Sequence, residues 1–106
     1  MNCVIGFITA KDMKEGKRIA HMLLGKRLIS CCNIVPKIDS IYRWKGRIEN
    51  TSESLLIVKT KKELINKTIN EIKKMHSYEI PAIEFVDITE GNKDFLEWIG
   101  RETNGN

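Results

Sequence analysis

An α+β sandwich is the fold this sequence predicts, with the element order strand, helix, strand, strand, helix, strand and one further helix at the C-terminal end. Three observations carry the prediction. Two stretches with apolar residues at helical spacing, residues 19–28 and 64–72, each follow a Ser/Thr/Asp-x-x-Glu start, Asp12 with Glu15 and Thr60 with Glu63. Four extended apolar segments flank and separate them. Lys45-Gly46 lies between two long alternating segments, which makes the central pair of strands one hairpin.

The elements follow in order. Residues 3–8, Cys-Val-Ile-Gly-Phe-Ile, form an apolar run suited to a strand that is central or covered on both faces. From Met13 to Leu28, Ile19, Ala20, Leu23, Leu24 and Leu28 make one helical stripe opposite Lys17, Arg18 and Lys26. From Cys31 the period changes to two, and Ile34, Ile38, Ser40, Tyr42 and Trp44 fall on one face, with Pro36 marking a bulge or an unpaired edge position. Through the Lys45-Gly46 turn the strand returns from Arg47 to Val58, with Trp44 opposite Arg47, Tyr42 opposite Glu49 and, without a bulge, Ile34 opposite Ile57. Leu64, Ile65, Ile69 and Ile72 line a second helix ending near Met75, and Pro81 stops anything helical. Residues 83–88 read as the fourth strand, and a short helix carries Phe95, Leu96, Trp98 and Ile99. The tail from Thr103 onward is expected to fray. This βαββαβ order with its long β2–β3 hairpin and extra C-terminal helix is the ferredoxin-like pattern.

A chain of 106 residues, 42% of them hydrophobic, suffices for one core and leaves no room for a second domain, so residues 1–106 are read as a single unit. The net charge of +4 is dispersed, lysines alternating with glutamates, which argues against a nucleic-acid partner. No apolar run approaches the roughly 20 residues that span a bilayer, and the N-terminus lacks the pattern of a signal peptide. A cytoplasmic protein is expected, with Cys3, Cys31 and Cys32 as reduced thiols, since adjacent cysteines close a strained ring.

The hairpin arm, residues 40–51, reaches beyond the part of the sheet that the helices can cover, roughly 20 Å at about 3.3 Å per residue. It carries Ile41, Tyr42, Trp44 and Ile48, so pairing with a neighbouring copy is expected, the alternative being an arm folded back over its own sheet.

Several segments resemble one known family. Residues 31–36 (Cys-Cys-Asn-Ile-Val-Pro), 40–48 (Ser-Ile-Tyr-Arg-Trp-Lys-Gly-Arg-Ile) and 56–60 (Leu-Ile-Val-Lys-Thr) are similar, in order, to signatures of the CutA divalent-cation-tolerance family. So are His76-Ser77-Tyr78-Glu79-Ile80-Pro81 and Phe95-Leu96-Glu97-Trp98-Ile99, with Ser77 where the family usually has proline. The resemblance implies a ferredoxin-like homotrimer with hairpins paired across subunits, and binding of copper or other divalent ions. Positions that hold a cysteine and a second histidine in some members are Ile8 and Met75 here. Of that set His76 stays as the strong ligand, with Met75 offering a thioether, and Cys31 and Glu79 of the same or a neighbouring subunit are added as candidate ligands, imidazole, thiolate and thioether favouring a soft ion such as copper. Tyr78, Trp44, Tyr42, Lys59 and Trp98 are candidates for a cleft between subunits. Against this stand plainer roles: a histidine bonded to its own turn, core cysteines, packing aromatics and a solvated lysine.

The sequence contains no phosphate-binding glycine loop and no nucleophile elbow, and two histidines give little scope for acid–base pairs. Binding rather than catalysis is therefore expected. An enzyme using Tyr78 or Glu79 ranks last. The principal alternative is a sensor resembling the trimeric PII signalling proteins, which would hold a small anionic metabolite between subunits.

Overall fold

The structure, a computed structural model, describes residues 2–104. It contains β1 (Cys3–Ala10), α1 (Met13–Gly25), β2 (Cys31–Trp44), β3 (Arg47–Lys61), a 3-10 turn (Lys62–Leu64), α2 (Ile65–Met75), β4 (Ile83–Asp87) and α3 (Lys93–Arg101). One antiparallel sheet in the order β2-β3-β1-β4 makes one layer and α1 with α2 the other, the expected α+β sandwich with its added C-terminal helix.

Alternation along the strands decides which residues the helices cover. Ile8, Ala10, Leu56 and Val58 point to the helix side and pack with Ile19, Ala20, Leu23, Leu64 and Ile72 as one core. Gly6 sits on that side because the Phe85 ring, from its partner on β4, occupies the space a Cβ would need.

Asp12 caps α1 as expected, its carboxylate accepting from the Glu15 amide at 2.8 Å. The helix closes three residues earlier than the apolar stripe suggests. Leu28 donates to the Leu23 carbonyl and Arg27 to that of Leu24, with Arg27 at φ 57, so Leu28 belongs to a left-handed closing turn that still buries it. The second expected cap is absent: Thr60 lies within β3, where its hydroxyl donates to the Leu28 carbonyl at 2.6 Å, and α2 begins from the 3-10 turn without a side-chain cap.

Trp44 pairs with Arg47 and Tyr42 with Glu49, as the turn dictates. The register then slips between Val35 and Ile38, so Ile34 pairs with Leu56 rather than Ile57. One extra residue beside Pro36 moves everything beyond it to the other face. Ile34 therefore packs on the core, while Ile38, Ser40, Tyr42 and Trp44 point to the opposite side, which corrects the expected common face.

Thr103 and Asn104 are docked rather than frayed. Thr103 is buried with its hydroxyl donating to the Ile99 carbonyl, and Asn104 donates from its backbone to the Arg27 carbonyl and from its side chain to that of Lys26. Residues 105 and 106 lie outside the described residues.

Candidate functional site: a cavity between the hairpin arm and the segment after α2

Past the bulge, the arm shows Ser40, Tyr42, Trp44, Thr51 and Glu53 to the sheet side opposite the helices. The segment 77–82 crosses over that side, and the two enclose a cavity of about 760 Å³. Its walls are Thr9, Ser40, Ile41, Tyr42, Trp44, Thr51, Glu53 and residues 77–80 with Ala82. Two carboxylates, Glu53 and Glu79, are the charges among these residues, and no lysine, arginine or histidine lines it.

Glu53 is the buried member, 6% exposed, and its Oε2 accepts the Tyr78 hydroxyl at 2.7 Å. Among the described residues its carboxylate has no basic partner within 4 Å. Burial, then the adjacent Glu53 carboxylate, push the Tyr78 phenol well above its ordinary value, so the phenol stays protonated and donates.

Tyr78 is set in place by the turn that follows α2. The Tyr78 amide donates to His76 Nδ1 at 3.0 Å, which makes Nδ1 the acceptor and leaves the proton on Nε2, 2.8 Å from the Thr9 carbonyl. The imidazole is thus the neutral Nε2–H form, and both nitrogens are engaged. Beneath it Glu15, 1% exposed, accepts from the Ser77 amide at 2.8 Å and the Lys11 amide at 3.0 Å. Burial raises the Glu15 carboxyl, but the Lys11 amide and the hydroxyl and amide of Ser77 outweigh it and hold the group below the usual carboxylate value.

The fold gathers Tyr42, Trp44, Tyr78 and Glu79 on one cavity and places His76 directly behind it. It does not bring the other candidates there within one chain. Cys31 pairs with Lys59 farther along the open sheet face, and Lys59 donates to Asn33 Oδ1 at 2.8 Å. Met75 packs against the core, and Trp98 stacks on Phe95 of α3 at 5.6 Å. Cys32 is the core member of the cysteine pair, its thiol pushed up to about 11 by burial and then by Cys31 beside it. Among the described residues no group of three or more histidines, cysteines, aspartates or glutamates is placed to hold a metal ion.

Sequence reasoning missed Glu53 and Glu15, and also the open sheet face. Ile5, Phe7, Leu55 and Ile57 lie on that face half-buried, with Val35 and Val86 at 38% and 52% exposure. The signal that could have found it was the alternation of Glu53 with Leu55 and Ile57, which puts a carboxylate at the end of an apolar row.

The family model described as "CutA1 divalent ion tolerance protein" matches residues 4–102. The divalent-cation tolerance protein CutA of Archaeoglobus fulgidus is 45% identical over 93 residues, 88% of this chain and 90% of that one. The chloroplastic Protein CutA 1 of Oryza sativa subsp. japonica is 34% identical over 100 residues, and this chain spans 56% of its length. Among solved structures, CutA1 from Oryza sativa superposes with a TM-score of 0.97 at 32% identity, covering 100% of this chain and 97% of that one. The divalent cation tolerance protein of Thermus thermophilus gives 0.94 at 36% identity, covering 96% and 99%.

Proposed function

Because the chain belongs to the CutA1 divalent ion tolerance family, we propose that it works as a homotrimeric cation-binding protein, taking copper or another divalent ion, rather than as an enzyme. The observation that carries this reading is Glu53, a carboxylate 6% exposed, without a basic partner among the described residues, on the wall of a cavity that no basic residue lines. Buried charge is retained where a counter-charge meets it, so the cavity is built for a cation. An anionic metabolite would meet two carboxylates in the walls this chain supplies.

The donors fit a metal only in part. His76 coordinates only by giving up one of its two hydrogen bonds, and Cys31 and Met75 lie off the cavity walls. Copper held by His76, Cys31, Met75 and Glu79 therefore needs a ligand from a neighbouring subunit.

Association itself is supported by apolar surface that a lone chain leaves open: Ile41 and Ile48 on the arm at 69% and 71% exposure, the sheet face around Phe7 and Ile57, and the unpaired edge of β2. Three copies is the stoichiometry the resemblance implies. A cytoplasmic setting accords with three free cysteines, and no helix among the described residues is long and apolar enough to cross a membrane.

Sedimentation equilibrium combined with copper titration tests the reading. The expected outcome is a mass of three chains of 12.2 kDa and saturable copper binding that weakens in Glu53→Gln and His76→Ala. A monomer at micromolar concentration, or copper binding indifferent to both substitutions, would overturn it.

A further inference from the structure

We propose that the same cavity takes an alkylammonium ion, its charged head against Glu53 and its apolar body against Ile80 and the rings of Tyr42 and Trp44. The inference rests on the reading of the cavity as a cation site and names the class of cation that its walls suit.

A bare metal ion needs several donors converging within roughly 2–2.6 Å, and no such cluster of histidine, cysteine and carboxylate exists among the described residues. One carboxylate suffices for an ammonium, whose remaining surface is satisfied by aromatic faces and hydroxyls. The walls supply three rings, Tyr42, Trp44 and Tyr78, together with hydroxyls from Ser40 and Thr51. A volume of about 760 Å³ is that of a site for an organic molecule, far beyond what a single ion fills.

The charge pattern points the same way. On a chain of net charge +4 this cavity carries two carboxylates and no base, so it discriminates by sign against the surrounding surface. The protein already shows the interaction with a group of its own: the Lys45 ammonium stands 5.6 Å from the centre of the Trp44 ring. Since Tyr78 commits its hydroxyl to Glu53 Oε2, that carboxylate is oriented before any ligand arrives.

Calorimetric titration of the purified protein with three probes of like shape and different charge tests this: 2-phenylethylammonium, 2-phenylethanol and 3-phenylpropanoate. The ammonium is expected to bind at least about tenfold tighter than the alcohol, since a buried charged hydrogen bond and cation–π contact exceed that ratio together, with the anion weakest. Glu53→Gln keeps an acceptor for Tyr78 and is expected to bring the ammonium down to the affinity of the alcohol. Tyr42→Leu, at a side chain 42% exposed, is expected to weaken the ammonium more than the alcohol, with thermal melts checking that both variants remain folded. Equal binding of ammonium and alcohol, strongest binding of the anion, or a folded Glu53→Gln that binds the ammonium like wild type would each overturn the inference. Copper titrated in parallel separates the two readings: copper binding without ammonium binding overturns this one and leaves the metal, whereas ammonium binding without copper supports it and removes the metal.

Discussion

The Tyr78 hydroxyl donates to the Glu53 carboxylate across 2.7 Å, joining the segment after α2 to the hairpin arm through residues 25 positions apart in the chain. Tyr78→Phe deletes that donor and leaves a buried carboxylate without it, which should lower stability by about 1–3 kcal/mol in urea denaturation. Burial and then Glu53 raise the phenol, so its contribution is present below the ordinary tyrosine value of about 10 and lost as pH rises beyond it. The tyrosinate absorbance that disappears in Tyr78→Phe should therefore develop only above that range. Development at the ordinary value would show the bond to be absent in solution.

Glu71 of α2 binds Lys26, the residue that caps the end of α1, and, at 2.8 Å, Lys74 one turn on, clamping the two helices. Lys26 and then Lys74 lower its carboxyl to about 2. A depressed carboxylate stabilises above its unfolded value of about 4.3 and loses that contribution as pH falls towards 2. Glu71→Gln should flatten the urea midpoint across that window at low ionic strength, and salt should shrink the difference. An unchanged acid limb would mean the clamp contributes nothing.

Thr68 on α2 is fully buried, and its hydroxyl has no hydrogen-bond partner among the described residues. Replacing Thr68 by valine keeps the shape and removes the orphan, so stability should rise by about 1 kcal/mol, a gain of roughly 4–8 °C in Tm for a chain of this size. A lower Tm would mean that the hydroxyl finds a partner in solution.

Ile57 lies mid-row on the open sheet face, paired with Phe7 on one side and Asn33 on the other. If that face is where copies meet, Ile57→Glu should shift sedimentation towards the 12.2 kDa monomer while leaving the far-ultraviolet spectrum unchanged, because the helix-side core is untouched. Retention of the wild-type mass would place the contact elsewhere.

Local chemistry decided which parts of the fold were legible. The Lys45-Gly46 turn, the Asp12 cap and the helical stripes each depend on neighbours within a few residues, and their order alone was enough for the α+β sandwich. Thr60 escaped sequence reasoning because a threonine three residues before a glutamate has the same pattern whether its hydroxyl caps a helix or, as here, reaches the Leu28 carbonyl in the turn after α1. The consequence of Pro36 for Ile34 could not be fixed beforehand, since only the paired strand reveals on which side the extra residue falls. In the site, the aromatic members were visible because they are large and sit on the arm. Glu53 and Glu15 were not, because a carboxylate's burial is set by Tyr78 and Ser77, 25 and 62 residues away.

The docking of Asn104 bears on the timing of folding. The carbonyls of Lys26 and Arg27 at the close of α1 are satisfied by Asn104, the former across a separation of 78 residues. At about 5–20 residues per second, a ribosome needs roughly 4–16 s to deliver that partner. Until then the turn that closes α1 lacks that partner, and a chain truncated before residue 104 should exchange the amide hydrogens of residues 26–28 faster than the full-length protein.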